Sequence, residues 1–182
     1  MVEDIYNTNK KYNIIYADPP WKYRVWRKGT GTAESHYSTM SIEEIIDMKN
    51  TIKGISDNNC VLFLWVTFPC LLEGLKVLQE WGFKYKTCGF NWVKRNRVSD
   101  SWFFGLGHWT RANAEICLIG VKGNIKRKSN KVSQIVDTHI EKHSKKPSVV
   151  RERIVELIGD LPRIELFARE SAEGWDCWGN EV

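Results

Sequence analysis

Apolar residues fall in short compact runs separated by polar stretches. Residues 12–17 (YNIIYA) and 60–67 (CVLFLWVT) have the pattern of buried strands, 83–93 reads as a strand rich in aromatics, and 114–121 (AEICLIGV) and 162–167 (PRIELF) read as further strands. Segments with helical signals lie between them. Ser41-Ile42-Glu43-Glu44 is a capping box that starts a short helix to about Lys49. Pro69 suits a first turn, Leu71, Leu72, Leu75 and Leu78 share a helical face, and Gly82 ends that helix. Ser148 is expected to cap a third helix through Ile158. Residues 21–40, 94–111 and 122–147 have no clear period and read as loops, the last polar, basic and mobile. Residues 168–182 read as an irregular tail. The alternation predicts an α/β fold, a mostly parallel sheet with helices on both faces. No internal repeat or linker is visible, so residues 1–182 are expected to form one domain.

Composition narrows this picture. A chain of 182 residues can build a core without disulfide staples. Of the five cysteines none forms a C-x-x-C pair, so no zinc site is expected. Cys60, Cys70 and Cys117 lie in apolar runs, as reduced buried thiols of a cytoplasmic protein do. The polar start MVEDIYNTNKKYN has no signal-peptide core, and the longest apolar stretch falls far short of the ~20 residues of a membrane span. A net charge of +5 leans toward a polyanionic partner. The nine tryptophans exceed the usual needs of packing, and some are expected to stack on a flat ligand.

The sharpest chemical signal is Asp18-Pro19-Pro20-Trp21 at the end of the first apolar run. In open α/β sheets, ligands bind outside the carboxyl ends of strands. An exocyclic adenine amine is a poor nucleophile because its lone pair is delocalised into the ring. Acceptors for both N–H groups favour a tetrahedral, attacking nitrogen. The Asp18 carboxylate supplies one acceptor and the Pro19 carbonyl the other, with two fixed proline φ angles stiffening its direction. Trp21 offers a flat face for the base. The competing reading is a rigid turn with a packing indole. Histidines occur at 36, 108, 139 and 143; a lone histidine in a polar loop is more often a hydrogen-bonding residue than a catalyst.

Six motifs in register carry a family resemblance: ADPPW (17–21), HYSTM (36–40), LFLWV (62–66), GHWTRANAEICLIGVKG (107–123), HSKKP (143–147) and IELFARE (164–170). Over residues 12–180 the chain resembles the adenine methyltransferases related to the seventy-kilodalton subunit of the messenger-RNA adenosine methyltransferase, a family with bacterial and phage DNA-modifying members. The resemblance implies a Rossmann-like fold dependent on S-adenosyl-L-methionine, with circularly permuted motif order. It implies that Asp18 meets the amine near the cofactor's amino-acid end and that Lys146 contacts the methionine portion. Glu165 and Asn180 would take the ribose hydroxyls, with Phe167 and Arg169 framing the same pocket. Ser171 and Glu181 depart from the His and Gln of the mRNA-modifying relatives.

Three basic stretches are candidates for phosphate contacts: Arg24, Arg27 and Lys28; Lys94, Arg95 and Arg97; and Lys126, Arg127, Lys128 and Lys131. The first two are expected to flank the pocket. Tyr37, Trp109 and Trp21 are candidate stacking partners for a base extruded from a duplex. DNA is the favoured substrate and RNA the alternative. A non-catalytic nucleic-acid-binding subunit is a different class, against which the intact Asp18 motif argues. The loop 94–109 could instead serve a homodimer or a partner subunit.

Overall fold

The computed structural model describes residues 1–22, 39–107, 109–141 and 145–182. Arg24, Arg27, Lys28, His36, Tyr37, His108 and His143 lie outside the described residues. The strands are β1 (Tyr12–Ala17), β2 (Ser56–Val66), β3 (Lys84–Arg95), β4 (Ala114–Lys122), β5 (Ile135–His139), β6 (Arg163–Leu166) and β7 (Asp176–Trp178). The helices are α1 (Ile42–Asp47), α2 (Lys49–Ile55), α3 (Leu71–Glu80) and α4 (Val149–Ile158). The seven strands form one sheet in the order β5-β3-β4-β2-β1-β6-β7. β1 pairs parallel with β2 and β6, β6 with β7, and β3 with β5; β4 alone runs antiparallel to both of its neighbours. This is a Rossmann-like α/β fold with a mostly parallel sheet.

Alternation along β1 and β2 explains the two-faced burial. Ile15, Ala17, Leu62, Leu64 and Val66 face one way, against Ile45, Ile52, Val77, Leu78 and Trp81 of the first three helices and their ends. Ile14, Tyr16, Val61, Phe63 and Trp65 face the other way, toward Val150, Ile154 and Ile158 of α4. Strands buried on both sides read as continuous apolar runs. Cys60, Cys70 and Cys117 are buried free thiols.

The capping box of α1 is present: the Glu44 amide donates to the Ser41 hydroxyl and the Ser41 amide to the Glu44 carboxylate. After α3, Gly82 takes φ +92, with its amide donating to the Gln79 carbonyl and that of Phe83 to the Leu78 carbonyl, the paired bonds of a Schellman end. Four expectations are corrected. Chain beyond Lys49 continues as α2. Ser148 occupies the cap position of α4 with helical dihedrals and no side-chain capping bond. The supposed loop 122–147 contains β5, anchored by buried Val136. The tail contains β7, whose Cys177 is buried. Among the described residues no helix is long and apolar enough to cross a membrane.

Candidate active site

From β1 the chain proceeds leftward through β2, and it returns at the end to lay β6 and β7 on β1's other side. The sheet order therefore reverses at β1, and a crevice opens beyond the carboxyl end of such a strand. Asp18 stands there. Its amide donates to the Leu166 carbonyl at 3.4 Å, which ties the turn to the end of β6. The Pro19 carbonyl accepts the Trp21 amide at 2.9 Å and the Pro20 carbonyl accepts the Met40 amide at 2.8 Å. Both prolines are held by backbone bonds as well as by their rings. The Pro19 oxygen keeps a second lone pair for a ligand.

One pocket beside Asp18 is lined by Pro19, Pro20, Trp21, Trp65, Glu115, Lys146 and Arg169, among others. Three charges on its wall and one behind it alternate in sign. Lys146 Nζ lies 2.7 Å from Asp18 Oδ2 and 3.3 Å from Glu115 Oε2, while Glu115 Oε1 is bonded to Lys94. Each lysine also lies over an indole, Lys146 at 5.5 Å from the Trp65 ring centre and Lys94 at 4.7 Å from that of Trp92. Burial raises the Asp18 carboxyl above its ordinary range, and the Lys146 ammonium only partly offsets it. Burial acts in the same direction on Glu115, but Lys146 and Lys94 together hold that carboxyl down to about 2. Burial would lower the Lys146 ammonium, yet the two carboxylates hold it well above its ordinary value. Thr67 Oγ1, on the same wall, is buried and has no partner among the described residues, so it retains hydrogen-bonding capacity.

A second pocket opens on the other side of Asp18, lined by Pro20, Met40, Phe167, Ala168, Arg169, Trp178, Gly179, Asn180 and Glu181. Phe167 is the one non-glycine residue with positive φ among the described residues, at 60°. A bulky residue there is strained and needs support from its surroundings. Support comes from Trp178, whose ring meets that of Phe167 edge-on at 5.3 Å and whose carbonyl accepts the Ala168 amide at 2.9 Å. Arg169 Nε lies 3.7 Å from Glu181 Oε1, so the residue that departs from the relatives' Gln pairs with the pocket arginine. Glu165 lines a smaller adjoining cleft with Asp18, Lys146 and Phe167. Arg151 of α4 donates to both its oxygens, at 2.6 and 3.1 Å. Burial raises the Glu165 carboxyl, and Arg151 works against that rise.

Asp18, Pro19, Pro20, Trp21, Lys146, Glu165, Phe167, Arg169 and Asn180 thus converge at one corner. The other expected contact residues lie within this corner's wall or apart from it. Trp21 is 4% exposed and its indole N–H donates to the Trp65 carbonyl at 2.9 Å, so it is pocket wall rather than an open stacking face. Lys94 reaches the site through Glu115 instead of standing open to solvent. The third basic stretch follows β4, which ends at Lys122 opposite Cys60, at the far end of the sheet. There the Lys128 amide donates to the Leu157 carbonyl at the end of α4. Trp109 is 94% exposed and is absent from the pocket walls. Sequence reasoning missed Glu115, Arg151, Trp65 and Trp178. Only Glu115 had a local signal, a carboxylate heading an otherwise apolar run.

Fold and site together define an α/β methyltransferase of the Rossmann-like kind. The chain belongs to the MT-A70 family, whose model matches residues 12–181. It is 33% identical to the type II methyltransferase M.MunI of Mycoplasma, over 95% of this chain and 78% of that protein. It is 28% identical to the human N(6)-adenosine-methyltransferase catalytic subunit METTL3 and 29% identical to a putative N(6)-adenosine-methyltransferase MT-A70-like protein of Medicago truncatula, over 94% of this chain in each case. The chain spans 28% and 26% of those two proteins.

Proposed function

We propose that the protein transfers the methyl group of S-adenosyl-L-methionine to the 6-amino group of adenine in DNA. The observation that carries this reading is Asp18 at the junction of two pockets, one roofed by a proline turn and the other walled by aromatic rings and charges. The second pocket and the cleft adjoining it together hold the groups for the cofactor: Phe167 and Trp178 for the purine, Asn180 and Glu165 for the ribose, and Arg169 and Lys146 for the methionine carboxylate. Glu165 can still accept from a hydroxyl, because a carboxylate has about four lone-pair sites and Arg151 uses two. When bound, the cofactor supplies an electrophilic methyl group.

The protein's part is to orient the amine. Lys146 engages Asp18 through Oδ2, which leaves Oδ1 to accept one amine N–H while the Pro19 carbonyl accepts the other. Lys146 also opposes the effect of burial and favours the ionised, accepting form of Asp18. As the nitrogen loses its conjugation and gains positive charge, both acceptors strengthen their hold, which is how preorganised groups lower a barrier. The proton then leaves to water.

DNA is favoured because the Mycoplasma relative, a type II methyltransferase, is matched over most of its length, whereas the adenosine methyltransferases are matched over about a quarter. A net charge of +5 suits either polyanion. The protein acts in the cytoplasm of a bacterium or a phage-infected host. Exposed Phe104 and Leu106 keep a partner subunit or a second copy as an alternative use of the 94–109 segment.

The test is incubation with S-adenosylmethionine and oligonucleotides, as single- and double-stranded DNA and as RNA, followed by mass spectrometry of the digested nucleosides. We expect 6-methyladenine in DNA, abolished by Asp18→Ala. Product in RNA alone would overturn the substrate. Failure to bind the cofactor would overturn the reading of the second pocket.

A further inference from the structure

We propose that Tyr16 and Trp65, which pack beneath the pocket, are positioning residues that aim Lys146 at Asp18. This inference rests on the reading of Asp18 as the acceptor of the amine.

Trp65 is the residue before the last of β2 and is 1% exposed. It is fixed at three points. Its indole N–H donates to the Tyr16 hydroxyl at 2.7 Å. Its carbonyl accepts the Trp21 indole N–H at 2.9 Å. Its ring meets Trp92 edge-on at 6.4 Å. Tyr16 lies two residues before Asp18 on β1 and is itself braced edge-on by Trp175 at 5.9 Å. A single side-chain bond therefore joins β1 to β2 just below the site and sets the plane of an indole whose face carries the Lys146 ammonium.

Lys146 needs such a guide. It comes from the segment between β5 and α4, where no strand register dictates its position. Its ammonium lies between two carboxylates, Asp18 at 2.7 Å and Glu115 at 3.3 Å. Coulombic attraction to two anions is poorly directional and would allow the ammonium to pivot toward either. The indole face adds a third, fixed direction. The competing explanation is plain packing. A phenylalanine at position 16 would fill nearly the same volume, and packing alone gives no reason to bury two polar groups, which are costly unless paired. The hydroxyl and the N–H satisfy each other in an otherwise apolar layer, and the ring they orient carries the charge that acts on Asp18.

The charged groups acting on Asp18 are Lys146, Glu115, Arg169 and Glu165. Tyr16 and Cys117 lie near it too, but burial pushes both well up and keeps them neutral. Displacing Lys146 removes the main force favouring ionised Asp18.

The experiment compares wild type, Tyr16→Phe, Trp65→Phe and the double variant. It uses carbon-13 NMR titration of the Asp18 carboxyl and the acid limb of the kcat–pH profile, with folding checked by thermal melting. Each single variant should move the Asp18 titration and the acid limb upward by about half a pH unit or more. Each should lower kcat measured on the acid limb by about threefold or more, the loss of ionised Asp18 that such a shift produces. The double variant should be no worse than the poorer single, because both changes break the same bond. Unchanged Asp18 titration in a folded Tyr16→Phe or Trp65→Phe protein would overturn the proposal and leave packing as the explanation. Additive losses in the double variant would overturn it as well. If wild type transfers no methyl group, the functional reading fails, while the NMR titration still decides whether the pair aims Lys146.

Discussion

Two carboxylates flank the same lysine and are driven in opposite directions. Asp18, at the carboxyl end of β1, has one close cation, and burial wins: its carboxyl is raised. Glu115, at the start of β4, has two, and they win: its carboxyl falls to about 2. Side-chain exposure is similar, 20% and 17%, so the number of partners decides the outcome. Glu115 is an anion that holds two lysines in place at any working pH. Asp18 is an acceptor whose charge responds to its neighbours, and it is the one that faces both pockets.

Substitutions along the charge series test this contrast. Asp18→Ala should reduce 6-methyladenine formation by about 10²–10³-fold, read by mass spectrometry, with the cofactor still bound in calorimetry. Lys146→Met leaves two largely buried carboxylates without their shared cation and should cost about 3 kcal/mol in urea unfolding at neutral pH. That loss should shrink as pH falls and Asp18 takes up a proton. An equal loss at pH 4 and pH 7 would contradict the raised Asp18 carboxyl. Glu115→Gln tests the opposite sign. A depressed carboxyl stabilises the fold above its ordinary value of 4.5, and that contribution, about 3 kcal/mol, disappears as pH falls toward 2. The variant should lack this acid dependence in unfolding experiments. Its acid limb of activity should also move down, because a negative neighbour of Asp18 is gone. Lys94→Met should have the smallest effect, about 1 kcal/mol in stability and less than about twofold in kcat. A fall of about one in the salt slope of oligonucleotide binding would mean instead that Lys94 reaches a phosphate.

The central strands and the Asp18 turn were legible in the sequence for a physical reason. β1 and the 60–66 stretch of β2 are buried on both faces, so nearly every position along them carries a signal, and Asp-Pro-Pro cannot continue a strand ladder. β5 and β7 were not legible. They need little more than one buried side chain each, Val136 and Cys177, and a pattern cannot be read from one residue. Glu115 becomes a site residue only through its place in the sheet, and Lys146, which the family resemblance marks, acquires its pairing with Asp18 only in the fold. The register that puts Glu115 opposite Trp92 and the bond that joins positions 146 and 18 are tertiary facts.

The placement of β1 has a consequence for biosynthesis. Its two neighbours arrive at very different times: β2 follows after some 40 residues, whereas β6 begins at Arg163. Until then a nascent chain exposes one edge of an almost wholly apolar central strand, and Asp18 lacks Arg169 and the Leu166 carbonyl. Such an unpaired edge invites association with other chains. Chains truncated before residue 163 should therefore be aggregation-prone and catalytically empty, and the folding step that closes the sheet is the same step that assembles the site.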